Sequence, residues 1–338
     1  MAATMKDVKE RTGLSMATIS KYLNGGNVLP ENRVILEEAI RELNYEVNEI
    51  ARGLVKNKTR TIGVLAYDIS SFFSGNMLHY LGNELRKRGY GMMICDSGND
   101  EKVEADNVKF LLSRRVDGLI VLPVSMDSSF LEPARKAGVP VVLLDRRLQD
   151  DTCDCVCIDN RMAAHRAVDV LIKNHHTKIA IIGTDTVDTG IERLKGYCDA
   201  MEQAGIEIKP EYMKMGRFSV DEGYEKMNQL LGMEDRPTAV FLSNYETALG
   251  GMMAINESEI SCPQDISIFA FDDLLVSGVV RPKLWLMVQP MESLCNNAVR
   301  ILLERVEGER EDEPIKLSFS AKLQEGNSIL NLAQNVSL

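Results

Sequence analysis

From Thr61 onward the chain alternates between short apolar runs and longer amphipathic ones, and few folds accommodate that. TIGVLAY, GMMICDS, DGLIVLPV, VPVVLLD, KIAIIGT, TAVFLSN and ISIFAFD have strand length and are largely apolar. Between them lie segments with apolar residues at helical spacing, among them NMLHYLGNELRKRGY, VEADNVKFLLSRRV, SSFLEPARKAG, NRMAAHRAVDVLIKN, GIERLKGYCDAMEQAG, EGYEKMNQLLG and YETALGGMMAINES. Strands alternating with helices of this length imply parallel sheets flanked by helices. Roughly 260 residues of the pattern exceed what one sheet needs, so two α/β lobes are expected. Ligands of open parallel sheets bind beyond the carboxyl ends of the strands. Those ends carry Tyr67-Asp68, Pro123, Asp145-Arg146, Ser243-Asn244 and Asp272-Asp273.

The first sixty residues read differently. A helix starts at Thr4, with Asp7 in capping-box spacing and Met5, Val8 and the stem of Arg11 as its inner stripe; Gly13 stops it. Ser15 caps a second helix to about Leu23, with Ile19, Tyr22 and Leu23 inward and Met16, Ala17, Ser20 and Lys21 outward. A third begins at Pro30-Glu31, and Val34, Ile35, Ile40 and Leu43 supply its apolar positions. Three short helices with a tight turn between the first two make a helix-turn-helix. NEIARGLVKNK then reads as a fourth short helix running into a polar linker. Residues 1–60 hold ten Lys or Arg against eight Asp or Glu, whereas the whole chain has a net charge of -11. A mildly basic head on an acidic body follows.

Other features are weaker. The N-terminal MAATMKDVKE lacks an apolar signal core, and no apolar run reaches the roughly 18 residues of a membrane span, so a cytoplasmic protein with no membrane partner is expected. Seven cysteines, an odd number, point to free thiols. CDCVC places Cys153, Cys155 and Cys157 on one face of an extended segment, opposite Val156 and Ile158, and reads as a thiol-rich strand rather than a zinc site. His175-His176 stands at a helix end with a structural role favoured. Phe72-Phe73 and Phe218 fall in polar loops, where an aromatic face serves core or ligand equally well. With no nucleophile elbow, P-loop, dinucleotide fingerprint or metal set, neither an enzyme nor a cofactor is expected.

The order and spacing of MKDVKERTGLSMATISKYLNG, NEIARGL, IGVLAYDIS, VPVVLLDR, IDN, RLKGY, SNYETALG and FAFDDLLVSGVVRPKL resemble the lactose-repressor (LacI/GalR) family of bacterial transcription regulators along essentially the whole chain. The resemblance implies an all-α helix-turn-helix headpiece (1–46), a hinge helix and linker (47–60) and an α/β two-lobed core like the periplasmic sugar-binding proteins (61–338). Lobe 1 would take about 61–159 and 291–319, lobe 2 about 160–290 and 320–338. It further implies a homodimer on a palindromic double-stranded operator, with a sugar or sugar phosphate as effector, and leaves a protein co-regulator open. Ser15, Thr18 and Asn24 match phosphate-contacting positions; Met16, Ala17 and Lys21 match base-reading ones; Asn48, Ala51 and Leu54 match the working face of the hinge helix, Leu54 as the minor-groove wedge. The matching effector positions are Phe72, Asp145, Arg146, Arg193, Phe218, Asn244 and Asp272. The chain departs from the family's pattern at several positions, among them His175 where glycine is typical at that helix end and Lys21 where arginine is frequent. Val47 stands where the family usually has proline, Tyr245 where aspartate follows the asparagine, and Trp285-Leu286 where a threonine pair is usual. A solute-binding protein and a carbohydrate enzyme are the alternatives.

Overall fold

Local sequence decides each helix of the first sixty residues. In the computed structural model, which describes residues 3–23, 25–45, 58–150, 152–272 and 281–333, the chain divides into two units, Met1–Arg60 and Thr61–Leu338. In the first, α1 (Met5–Thr12) begins where the backbone N–H and hydroxyl of Thr4 both donate to Asp7 Oδ2, at 2.7 and 2.8 Å, and ends at Gly13 with φ +70°. Helix α2 (Met16–Leu23) is capped by Ser15 Oγ, which accepts from the N–H of Thr18 at 3.1 Å. Helix α3 (Pro30–Glu42) opens on its proline. Each helix contributes one fully buried apolar residue, Val8, Ile19 and Leu36, with Met5, Leu14, Tyr22, Leu23 and Leu43 packed around them.

The expected inner stripe of α3 is corrected. Val34 and Ile35 are 62% and 43% exposed, while Leu36 and Ala39 are buried. At 100° per residue the inward line runs through Leu36, Ala39 and Leu43, and the adjacent Val34-Ile35 pair falls off it. Arg11 is exposed rather than packed by its stem, and its guanidinium meets Glu42 at 2.7 Å, joining the ends of α1 and α3. The expected fourth helix, with Asn48, Ala51 and Leu54, lies outside the described residues, as does Asn24.

The second unit contains two six-stranded sheets. In chain order its first elements are β1 (Thr61–Ala66), α4 (Phe72–Lys87), β2 (Gly91–Asp96), α5 (Glu101–Ser113), β3 (Gly118–Val121), α6 (Glu132–Ala137), β4 (Val141–Leu144) and β5 (Asp154–Ile158). Next come α7 (Asn160–Lys173), β6 (Ile179–Gly183), α8 (Asp188–Gln203), β7 (Met213–Met215), α9 (Val220–Leu231), β8 (Ala239–Leu242), α10 (Tyr245–Glu257), β9 (Ser267–Phe271) and β10 (Trp285–Val288). The chain ends through α11 (Met291–Glu307), β11 (Lys316–Phe319) and β12 (Lys322–Gln324). The first sheet runs β11-β5-β4-β3-β1-β2 and the second β12-β10-β9-β8-β6-β7, so the two are built alike. All pairings are parallel except β10 with β12. The chain passes between the sheets three times: after β5, before β11 and after it.

Every residue of β3, β5, β6, β8 and β9 is buried, as parallel strands covered on both faces require. Cys153, Cys155 and Cys157 face one side of the first sheet and Val156 and Ile158 the other. All seven cysteines are free, and among the described residues no three His, Cys, Asp or Glu side chains group as a metal site. A bidentate pair fixes α11 to β5 of the first sheet: Arg305 Nε and Nη2 each reach a carboxylate oxygen of buried Asp154 at 2.9 Å. His176 ties the C-terminal segment down through Thr238 Oγ1 at 2.9 Å and the carbonyl of Leu330 at 3.0 Å.

Glycines set how closely α9 approaches α10. A Cβ on Gly250 would lie 2.0 Å from the carbonyl oxygen of Val220, and one on Gly223 would lie 2.6 Å from that of Thr247. This close crossing places the segment before α9 beside the start of α10.

Candidate functional site

The carboxyl ends of both sheets converge on one cavity, whose space including its open mouth is about 270 Å³. The first sheet contributes Tyr67 after β1, Asp145 and Arg146 after β4, and Phe73 from the first turn of α4. From the second come Thr189 and Arg193 on α8, Phe218 ahead of α9, and Asn244 and Glu246 at the start of α10. Asp272 after β9 and Gln289 after β10 complete it.

Asp145 and Asp272 occupy equivalent places in the two sheets. Each follows the fourth strand of its half and adopts φ +74°, a conformation that costs a non-glycine residue of the order of 1 kcal/mol or more. Each also donates its N–H to the neighbouring strand, Asp145 to Val156 O at 2.9 Å and Asp272 to Met287 O at 2.8 Å. The turn aims both carboxyls into the cavity, where both are buried. Burial raises the Asp145 pKa to about 6; Arg146 and Arg193 oppose that rise, and Asp272 and Asp188 add to it.

The two arginines are held firmly. Arg146 Nη1 donates to Pro123 O at 2.9 Å, and its guanidinium lies 3.9 Å from the centre of the Tyr67 ring. Arg193 Nε donates to Asn160 Oδ1 at 2.8 Å and Nη1 to Ser243 O at 2.7 Å, with the guanidinium 3.7 Å from the Phe271 ring centre. Burial lowers the Arg193 pKa, against the pull of Asp272 and Asp145. Gln289 Nε2 donates to Asp272 Oδ1 at 2.6 Å. Asn244 caps α10 by accepting from Thr247 N at 3.0 Å, and its amide nitrogen donates to Glu246.

Several polar atoms here are buried with no hydrogen-bond partner: Asp145 Oδ1, Arg146 Nε and Gln289 Oε1. Each unsatisfied buried group costs about 1–3 kcal/mol. Two acceptors and a donor beside the rings of Phe73 and Phe218 match a ligand that presents hydroxyls along its edge and an apolar face.

Six of the seven sequence-derived effector positions, Asp145, Arg146, Arg193, Phe218, Asn244 and Asp272, line this cavity. Phe72 does not, and neither Phe72 nor Phe73 is in a loop. Both open α4, where residues one apart differ by 100° in direction, so Phe73 turns inward and Phe72 stacks on Tyr245. Tyr67, expected at the end of β1, also lines it, and Thr189, Glu246 and Gln289 complete the lining without having been singled out for it. Gln289 had a usable signal, because it follows a strand in the same way as Asp272 does.

In the first unit, the outer face of α2 presents Met16, Ala17 and Lys21, all exposed, with Ser15 and Thr18 at its start. Ala17, Thr18 and Lys21 form one wall of an open groove whose other wall is Asn27, Leu29 and Pro30.

A family model for the periplasmic binding protein-like domain matches residues 168–329. The HTH-type transcriptional repressor PurR of Proteus mirabilis is 35% identical over 92% of this chain and 92% of its own. The chain belongs to the LacI family. A crystal structure of the lac repressor dimer bound to operator and the anti-inducer ONPF superposes with a TM-score of 0.87, at 25% identity, over 98% of this chain and all of that one. The transcriptional regulator CelR in complex with cellobiose gives a TM-score of 0.73 at 27% identity, over 96% of this chain and 99% of that one. This LacI-family chain is thus a ligand-responsive DNA-binding transcriptional repressor, with a helix-turn-helix headpiece and a periplasmic-binding-protein-like core. Among the described residues no helix is long and apolar enough to cross a membrane.

Proposed function

We propose that this LacI-family repressor acts in the cytoplasm as a homodimer, without enzymatic activity, and couples a sugar-like effector to a palindromic operator. Residues 1–46 read DNA, 47–60 form the hinge, and the core binds effector between lobe 1 (about 61–159 and 291–319) and lobe 2 (about 160–290 and 320–338). Lys21 donates to a guanine edge and Ala17 packs on a thymine methyl, while Ser15, Thr18 and Asn24 hold phosphates. Asn48, Ala51 and Leu54 face the minor groove, with Leu54 as the wedge. Asp145, Arg146, Arg193 and Asp272 bind effector hydroxyls through charge-assisted hydrogen bonds, and Phe218 covers a sugar face. Phe72 acts from the rim, through Tyr245.

The observation that carries this reading is the set of unpartnered buried atoms, Asp145 Oδ1, Arg146 Nε and Gln289 Oε1, in a cavity lined from both sheets. A ligand that satisfies them binds the closed arrangement better than an open one. Only that difference in affinity can move the equilibrium between hinge arrangements. The test is a duplex-binding titration at several salt concentrations, with and without a panel of saccharides. A steep salt dependence and a saccharide-linked change in affinity are expected; a flat salt response and no saccharide effect would exclude the reading.

A further inference from the structure

Glu104 stands in the first turn of α5 and is fully buried. Its two carboxylate oxygens accept from consecutive backbone N–H groups beyond β3, that of Val124 at 2.7 Å and that of Ser125 at 3.0 Å. Neither residue belongs to a strand, so no ladder satisfies these donors. A carboxylate reaching across from a helix supplies two acceptors at once.

The residue just before them, Pro123, gives its carbonyl to Arg146 Nη1 at 2.9 Å. That bond and the Tyr67 ring fix the guanidinium, and they leave Nε buried without a partner in a side chain that lines the cavity. On the far side of the loop, Met126 O accepts from Gln149 N at 3.0 Å and Ser128 Oγ donates to Asp150. Residues 123–128 are thus pinned between α5 and the turn that follows β4, and Glu104 makes the α5 side of that grip. Glu104 itself does not line the cavity.

We infer that Glu104 is a positioning residue: it clamps residues 123–125 so that the Pro123 carbonyl holds the Arg146 guanidinium ready for a bound molecule. This rests on reading the cavity as the effector site. Burial raises the Glu104 pKa to about 7 against the two N–H bonds; Glu101, one turn earlier on α5, adds to the rise, and Arg146 opposes it. Protonation turns one acceptor oxygen into a hydroxyl donor, so the clamp weakens as pH falls through that value.

The experiment is NMR on the isotopically labelled full chain, with no small molecule added, between pH 5.5 and 8.5. Asp145→Asn serves as the background, because Asp145 titrates beside Arg146 within that range and asparagine tolerates a φ of +74°. The amide protons of Val124 and Ser125 should move together, with one midpoint between pH 6 and 8. Rotation of the Arg146 guanidinium about its Nε–Cζ bond, read from exchange between the two terminal nitrogens, should be at least fivefold slower at pH 8.5 than at pH 5.5. Adding Glu104→Gln, which keeps the length and loses one acceptor, should abolish both responses. Amides that do not titrate, a rotation rate equal at the two pH values, or responses that survive Glu104→Gln overturn the inference. The chain that keeps Glu104 decides the matter even where the glutamine variant fails to fold. No effector enters these readouts, so their failure is distinct from failure of the effector reading, which the saccharide titration tests.

Discussion

The ring of Phe72 lies on the ring of Tyr245, centroids 5.1 Å apart and planes 18° from parallel, joining the start of α4 behind the first sheet to the start of α10 behind the second. Beside it Ser71 Oγ donates to Glu246 Oε1 at 2.6 Å. These two contacts bridge the halves at the cavity rim. Both use the SNYETALG segment, where tyrosine stands in place of the family's usual aspartate.

An aromatic pair is worth about 0.5–1.5 kcal/mol beyond its buried area. Tyr245→Ala should therefore weaken effector binding about 2- to 10-fold by favouring separated lobes, and Tyr245→Phe should keep wild-type affinity. Calorimetry on the three proteins measures this. Equal affinity for the alanine variant would mean the stack does not hold the closed form.

The pKa of Asp145, raised to about 6 mainly by burial, sets a pH dependence. Because the folded value exceeds the ordinary 3.8, this group favours the native state most below pH 4 and loses that contribution as pH rises through 6. The full difference is of the order of 3 kcal/mol. Melting of the wild type and Asp145→Asn should therefore diverge between pH 4 and 6.5, with the wild type losing stability relative to the variant as pH rises. Parallel curves would place the titration elsewhere.

Gly250 sets the distance between α9 and α10, and an added methyl would meet a backbone oxygen that has no rotamer to escape into. Gly250→Ala should cost about 1–3 kcal/mol by overpacking and weaken effector binding as Phe218 and Asn244 shift together. Denaturant melts read the first effect and calorimetry the second. A variant of unchanged stability would show that the helices part freely.

On the first unit, Lys21→Ala should cost about 1–3 kcal/mol of operator affinity and relax selection at one base pair. Ser15→Ala removes the cap on Thr18 N and should lower headpiece stability by about 1 kcal/mol. Binding to a set of single-base operator variants separates specific from general loss. Uniform loss across all variants would reassign Lys21 to phosphate.

Strand ends were legible because an α/β chain brings them together by topology. Asp145, Asp272 and Asn244 needed only the strand pattern to be noticed. Thr189 and Glu246 reach the cavity from helices, so their role depends on helix placement that no local pattern encodes. Phe72 and Phe73 failed for a related reason. The polar Ser70-Ser71 pair reads as loop, and without knowing that α4 starts at Phe72 the inward ring of the two cannot be chosen. The stripe of α3 was misread because two β-branched neighbours, Val34 and Ile35, outweighed the correctly spaced Leu36 and Ala39.

The decisive quantity is the operator affinity of the full chain, for a duplex selected from a random pool, with and without saturating amounts of the saccharide that most raises the melting temperature. At least a tenfold change is expected in the wild type, with loss of the change in Arg193→Ala, because linkage makes effector and operator affinities reciprocal. The same operator affinity at zero and saturating saccharide would contradict coupling between cavity and headpiece.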